Sequence, residues 1–349
     1  MARRALAGVV ASLVLIAAVA TAASAWQQGT ASAGDTPEFM AALQRGETAL
    51  QRKQYEAALD AFTAANRLQD KTSSVALYGM GRAFHGLSAW KSEADACAEA
   101  LKFVGSDQKL EALIHNQRGL AFVQLGQKPG DKAFKDAEAE FRAVLVQTET
   151  LPMAWFNLGI VLLRQNRDPE GIAALQTFVD SGLKAPEVEN AKGMIENPRR
   201  AREPFAPEFG AASLEGEYIT LKGLQGKVVL LDFWGTWCPP CVAATPMLVG
   251  LAKAHQKDSR FLMLSVSTDS AADVSKLRAF IEQHKMFWPE IHDPSRKIPL
   301  LYSVTNYPTY IVIDHEGIIR ERLQGYGAST TFGRLDSAIK DALKSMGKK

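Results

Sequence analysis

The sequence has few cysteines and almost no charge imbalance. Three cysteines in 349 residues are too few for the disulfide framework of a small secreted scaffold. Lysine and arginine number 40 against 38 for aspartate and glutamate, a net charge of +2, so bulk electrostatics predict no nucleic-acid partner. The 47% apolar and 22% charged residues are the balance of an ordinary globular protein. The length is enough for two domains.

Residues 1–25 have the pattern of an export signal or an N-terminal anchor. Arg3 and Arg4 precede an apolar, alanine-rich run that ends at a small-residue Ala-Ser-Ala site. If the segment is not cleaved, residues 5–25 are the one predicted membrane attachment. In either case we expect the bulk of the chain outside the cytoplasm, in the periplasm of a bacterium, where disulfide chemistry is normal. Residues 26–36 are predicted to be disordered.

Residues 37–196 show helical periodicity that repeats. Small residues that allow two helices to approach recur at intervals of about 35 to 40 residues, at Gly46, Gly81, Gly119 and Gly159. The segment Tyr55 to Ala65, YEAALDAFTAA, has the pattern of a second helix in such a pair. This resembles the tetratricopeptide repeat, in which stacked helix pairs bury a common core and leave a concave surface. The resemblance implies a docking site for a protein partner.

Cys97 in the repeats and the segment that follows the repeats have plain structural interpretations. Cys97 falls at a core position of a repeat helix, which predicts a buried, inert side chain. Residues 197–208 are rich in proline and carry Arg199, Arg200 and Arg202, so a linker between the domains is predicted there.

The run WCPPC, residues 237–241, follows an apolar strand pattern at Val228 to Phe233. Two cysteines at this spacing on a first helical turn, Cys238 and Cys241, can form a disulfide, and the helix N-terminus favours a thiolate on the first. Half of a zinc site has the same spacing. Zinc is the minor alternative, because Cys97 lies far upstream and no histidine pair at ligand spacing follows.

The run VVLLDFWGTWCPPC resembles the active site of the thioredoxin superfamily. More closely, the chain from about Phe205 to its end resembles the TlpA/ResA-like branch of extracytoplasmic thiol–disulfide oxidoreductases, and the domain itself is predicted at residues 209–349. The matching pieces include FLMLSVSTD, WPEIHDPSRKIPLLYSV and NYPTYIVIDHEGIIRERLQGYG, in the family's order. The resemblance implies an α/β thioredoxin-like fold, a central mixed sheet flanked by helices, after the all-α repeats.

The resemblance also implies catalytic roles. Cys238 is the nucleophile, and Cys241 resolves the mixed disulfide. Asp232 is a buried acid whose raised pKa lets it take the proton of the resolving thiol; an exposed strand-end aspartate is the alternative. Pro308 is expected to follow a cis peptide bond. Many relatives carry a glutamate three residues after the second cysteine, where this chain has Ala244.

Substrate-binding residues are expected around the cysteines. Trp237 is predicted to shield one side of the site, and the Tyr307 backbone to pair with a substrate strand. The remaining candidates flank these positions: Pro239, Pro240 and Thr309.

The sequence therefore predicts an exported oxidoreductase that exchanges disulfides with protein substrates and with an electron donor or acceptor protein. The resemblance implies a reductant in periplasmic redox, cytochrome c or metal-site maturation. No cofactor and no metal are predicted. One alternative is a thiol peroxidase of peroxiredoxin type, although the proline of that motif is missing and Thr236 has the wrong offset. Another is a redox-inert repeat scaffold.

Overall fold

The computed structural model describes residues 36–147 and 151–347, which divide into two units between Arg202 and Glu203. The predicted signal or anchor at 1–25 lies outside the described residues, as does the predicted disordered segment except Thr36. No helix within the described ranges is both long enough and apolar enough to cross a membrane.

The first unit contains nine α-helices within residues 36–147 and 151–202. They are α1 (Pro37–Gln51), α2 (Tyr55–Leu68), α3 (Ser74–Gly86), α4 (Trp90–Leu101), α5 (Gln108–Leu125), α6 (Lys132–Gln147), α7 (Pro152–Arg164), α8 (Asp168–Asp180) and α9 (Glu187–Glu196). Each helix packs mainly against its neighbours in the chain. Three of the helices that open a pair begin at a side-chain cap, in which Thr36, Ser73 and Asp107 accept a backbone N–H of the first turn.

The recurring glycines lie where paired helices come closest. A Cβ added at any of them would meet a side chain of the next helix at 2.6 to 2.9 Å, and the pairs are Gly46–Phe62, Gly81–Cys97, Gly119–Phe141 and Gly159–Leu175. Only glycine allows this approach, as the sequence predicted. Cys97 is fully buried, and it occupies the position that Phe62, Phe141 and Leu175 fill in the other helix pairs. Burial raises the pKa of its thiol. Its side chain is therefore part of the core.

Replacing Gly159 with alanine should destabilise the helical unit. The new Cβ would lie 2.6 Å from Leu175 Cγ and 3.1 Å from the Gly171 carbonyl oxygen, and backbone cannot move aside cheaply. We expect the free energy of unfolding to fall by roughly 1 to 3 kcal/mol. The matched control is Gly193→Ala on α9, where the nearest atom is 3.5 Å away. Denaturant titration followed by circular dichroism should separate the two variants, and equal effects would contradict the close approach.

Residues 197–208, the predicted linker, include the boundary between the two units and have hydrogen-bond partners in the unit on each side. Pro198–Ala201 form a short 3-10 turn. The Arg202 guanidinium donates to the Leu163 carbonyl at 2.9 Å and to an Asp168 carboxylate oxygen at 3.0 Å, within the helical unit. On the other side, the Ala206 N–H donates to the Gly317 carbonyl within the second unit. The arginine and the backbone polar groups find partners, so little of this segment is free chain.

The second unit is built on a five-stranded mixed sheet with the order β5-β4-β3-β6-β7. A separate antiparallel pair, β1 (Gly210–Ala212) and β2 (Tyr218–Thr220), precedes it. The sheet strands are β3 (Val228–Trp234), β4 (Phe261–Ser267), β5 (Glu290–His292), β6 (Thr309–Ile313) and β7 (Ile319–Gln324). The helices of this unit are α10 (Pro239–His255), α11 (Val274–His284), α12 (Lys297–Leu301) and α13 (Thr331–Ser345).

Strand β3 is the central strand, parallel to β4 and antiparallel to β6, and all its residues are buried. Because successive side chains alternate between faces, it contributes to two cores. Leu230 and Trp234 pack into one core with Cys238 and Cys241, while Leu231 and Phe233 pack into the other with Tyr302. An apolar strand buried on both faces therefore leads directly to the cysteines. The predicted α/β domain after an all-α region is confirmed.

Candidate active site

Cys238 and Cys241 lie at the turn from β3 into α10 and are joined by a disulfide, with their Cα atoms 5.3 Å apart. Cys238 is the N-cap of the helix, and its Sγ accepts the Cys241 backbone N–H at 3.3 Å. Pro239 and Pro240 occupy the first helical positions, where a missing N–H costs nothing. After reduction, the helix N-terminus and this N–H favour the thiolate of Cys238 over that of Cys241.

The surface beside the cysteines is apolar and aromatic. Trp237 is 46% exposed, which places it outside the core, and its ring meets the Tyr307 ring edge-on with centroids 5.3 Å apart. The Arg296 guanidinium lies over the Trp237 ring, 5.8 Å from the ring centroid. Pro239 and Pro240 are exposed. Cys238 and Cys241 are only 3% and 2% exposed, so helix position rather than exposure distinguishes the two sulfurs.

The Tyr307–Pro308 peptide bond is cis, as the resemblance implied. The Pro308 carbonyl accepts the Gly325 N–H at 2.8 Å, which ties this loop to the end of β7. Tyr307 packs against the core that includes both cysteines. Thr309, one of the predicted substrate-binding residues, is fully buried, and its hydroxyl donates to the Asn306 carbonyl at 2.7 Å. Its side chain therefore holds the loop.

Asp232 is buried beneath the site, 1% exposed, which excludes the exposed strand-end alternative. It lies on β3 between Leu230 and Trp234, on the face that carries the cysteines. Burial raises the pKa of its carboxyl to about 7, although the hydrogen bond from Ser265 acts in the opposite direction. An acid with this pKa can accept and release a proton near neutral pH.

Sequence reasoning missed a second buried acid, Glu290, at the start of β5. It is 1% exposed, and its Oε1 accepts the Trp234 Nε1–H at 3.0 Å. Burial raises its pKa well above the usual range, and the nearby charge of Asp232 adds to that effect. The position of Glu290 between Pro289 and the buried Ile291 is the signal that could have marked it.

Asp269 organises the turn that leads into the cysteines. Its carboxylate accepts the Thr236 N–H at 3.0 Å and the Ser267 hydroxyl at 2.7 Å, and its carbonyl lies 2.9 Å from His292 Nε2. Asp293 accepts the Ile298 N–H at 2.7 Å. His292 and Asp293 thus have internal partners, and no group of three potential metal ligands occurs among the residues that the structure describes.

A disulfide at the start of a helix, beside an exposed aromatic surface and above a buried acid, is suited to exchanging that bond reversibly with another pair of thiols. Together with the mixed sheet, this chemistry defines the chain as a thioredoxin-fold thiol–disulfide oxidoreductase.

Comparison with known proteins agrees with this class. The profile of the AhpC/TSA family matches residues 204–322. A thiol-disulfide oxidoreductase ResA of Bacillus cereus is 36% identical over 121 residues, which are 34% of this chain and 68% of that protein. The thioredoxin-like protein YneN of Bacillus subtilis is 34% identical over 117 residues, 33% of this chain and 67% of that protein. The chain belongs to the ResA-like thiol–disulfide oxidoreductases.

Solved structures are also similar to part of the chain. One from Chlorobium tepidum, described as a thiol:disulfide interchange protein DsbE, is 27% identical with a TM-score of 0.37, and the match covers 40% of this chain and 95% of that one.

Proposed function

We propose that this protein is an exported reductant of protein disulfides, in which Cys238 attacks the substrate and Cys241 resolves the mixed disulfide. The observation that carries the proposal is the position of Cys238 as N-cap of α10, with its sulfur on the Cys241 N–H. Asp232, on the same face of the sheet, takes the proton of Cys241. The reduced cysteine pair is regenerated by an electron-donor protein.

The substrate is a protein segment that lies on the surface formed by the exposed Trp237, Pro239 and Pro240 and the half-buried Tyr307. Aromatic and proline side chains offer apolar contact without requiring a particular sequence, while the backbone before Pro308 pairs with an extended segment. By resemblance to the TlpA/ResA-like branch, the substrates are disulfides of apocytochrome c or of metal-site proteins. Residues 1–25 direct the chain to the periplasm.

The helical unit docks a partner protein. Support comes from its repeated pairs, which resemble tetratricopeptide repeats and which meet at the glycine contacts described above. A stacked array of this kind offers a large surface, whereas the only cysteine in its described part, Cys97, is buried. The repeats therefore supply recognition and leave the chemistry to residues 203–349.

The function can be tested on the full exported chain with two assays run side by side. Reduction of insulin disulfides supports the proposal. The match to the AhpC/TSA family is the observation that keeps the thiol peroxidase as a second candidate, and turnover of peroxide would favour it. Inertness in both assays would favour the redox-inert scaffold.

Removing the helical unit should separate chemistry from recognition. A chain beginning at Glu203 retains the pairing of Ala206 with Gly317, and we expect its kcat/KM on insulin to stay within about twofold of the full chain. On a natural partner trapped with the full chain, kcat/KM should fall at least about tenfold. A chain that begins at Phe209 lacks the Ala206–Gly317 hydrogen bond, and its stability is compared with that of the chain from Glu203. Loss of insulin activity in the chain from Glu203 would mean that the repeats complete the active site.

A further inference from the structure

Three buried polar side chains lie in one row across the sheet. Asp232 of β3 is in register with Ser265 of β4, and Ser265 is in register with Glu290 of β5. Side chains in register project to the same face, and neighbouring strands lie about 4.8 Å apart. Both acids are 1% exposed. A single serine therefore separates two buried carboxyl groups on the face that carries the cysteines.

The hydrogen bonds of this row leave half of the carboxyl oxygens without a donor. Trp288 Nε1–H donates to Ser265 Oγ at 2.7 Å, and the Ser265 hydroxyl donates to Asp232 Oδ2 at 3.1 Å. Trp234 Nε1–H donates to Glu290 Oε1 at 3.0 Å. Within the described ranges, Asp232 Oδ1 and Glu290 Oε2 have no hydrogen-bond partner. Two ionised carboxylates would leave both oxygens charged and unsatisfied, so the row favours retaining a proton.

The surrounding charges favour the same state. The charges of Asp232 and Asp269 raise the pKa of Glu290, whereas the Trp234 side chain and the Ser267 backbone act in the opposite direction. The Tyr310 hydroxyl, in register with Asp232 on β6, is buried and also lacks a partner among the described residues. His292 Nε2 lies 2.9 Å from the Asp269 carbonyl oxygen. The negative charge of Asp269 and the unpartnered oxygens therefore both disfavour a second negative charge in the row.

We propose that Glu290 is a second proton-binding group of the active site, titrating with Asp232 as one coupled pair that keeps a proton at neutral and mildly alkaline pH. The inference rests on the proposed role of Asp232. In the working form, one carboxyl is ionised and accepts a proton, while the other remains neutral. Glu290 is then a positioning residue, because it acts on Cys241 only through Asp232.

The step that uses the pair is the resolution of the mixed disulfide. The Cys241 thiol gives its proton to the Asp232 carboxylate, and its sulfur bonds to Cys238 Sγ. The bond from Cys238 to the partner breaks, and the partner sulfur leaves as a thiolate. The cysteine pair is oxidised, the partner is reduced, and Glu290 keeps its own proton throughout. The neutral state of Glu290 allows Asp232 to carry the single negative charge of the row.

The test is a carbon-13 NMR titration of carboxyl carbons in the full chain with the disulfide intact, so that neither active-site cysteine titrates. In the wild type, we expect two coupled carboxyls whose titration midpoints both lie well above the ordinary range of carboxylic acids. Asp232→Asn should lower the midpoint of Glu290 by at least about one pH unit, a tenfold gain in acidity. Glu290→Gln should remove the upper step and leave Asp232 with a single step. Because the titration needs no turnover, it succeeds or fails independently of the proposed activity.

A kinetic readout tests the link to the chemistry. The pH–rate profile for resolution of a mixed disulfide at Cys238 should lose its upper step in Glu290→Gln. Glu282→Gln, the same chemical change at an exposed position of α11, should leave both the titration and the profile unchanged. A Glu290 midpoint below pH 5 in the wild type, or one that Asp232→Asn does not move, would overturn the proposal. The wild-type and Asp232→Asn titrations decide the question even if Glu290→Gln does not fold.

Discussion

Replacing Cys238 with serine is expected to abolish disulfide exchange, while Cys241→Ser should stop the reaction at the mixed disulfide. Cys238 caps α10 and its sulfur accepts a backbone N–H, so it becomes the thiolate that attacks. Cys241 follows one turn later and serves to release the partner. For Cys238→Ser we expect kcat/KM on insulin to fall at least about 10³-fold. For Cys241→Ser, partner proteins should appear as covalent adducts on non-reducing gels.

Cys97→Ala is the matched control for loss of a cysteine, because Cys97 is fully buried against Gly81 in the helical unit. It should leave exchange within about twofold of the wild type. The assignment of roles has an independent check in alkylation of the reduced protein at mildly acidic pH. Faster labelling of Cys241 than of Cys238 would reverse the two roles.

Local features of the fold and of the site were predictable because their causes lie close together in the sequence. The strand-to-helix turn at Cys238 follows from an apolar strand pattern, a turn and two prolines within a few residues. The burial of Asp232 follows from its apolar neighbours on β3. The glycine contacts follow from the repeat itself, since each glycine faces the helix that comes next in the chain.

Features that depend on long-range pairing were not predictable. Glu290 reaches the site only because β5 pairs with β4 in one particular register, which places it opposite Ser265. The burial of the Thr309 side chain could not be inferred from the sequence, because it depends on the loop that its own hydroxyl closes. The structure of residues 197–208 depends on distant partners such as Asp168 and Gly317.

Asp232→Asn is expected to stabilise the oxidised protein at neutral pH. The carboxyl has a pKa of about 7 when folded, because burial disfavours its charge, against about 3.9 when unfolded. Between these values the folded state binds the proton and the unfolded state does not. Stability therefore falls as pH rises from about 4 to about 7, by about 1.4 kcal/mol per pH unit, and is constant above that range. Asparagine never ionises, so the variant avoids this loss.

The gain should be near zero at pH 4 and reach roughly 3 to 4 kcal/mol at pH 8, measured by denaturant unfolding at several pH values. Asp258→Asn is the control of opposite sign. The half-buried Asp258 is paired with Arg260, which lowers its pKa to about 2, so its contribution is present above pH 4 and disappears in acid. If the stability gain of Asp232→Asn does not grow with pH, ionisation of the buried carboxyl is not its cause.

The same substitution should slow turnover most near neutral pH, because Asp232 then no longer accepts the proton of Cys241. A carboxyl that destabilises the fold at working pH and speeds the reaction there is explained by its proton chemistry rather than by packing. An unchanged pH–rate profile in Asp232→Asn would remove the residue from the mechanism. The stability gain would then identify it as a buried acid without a catalytic role.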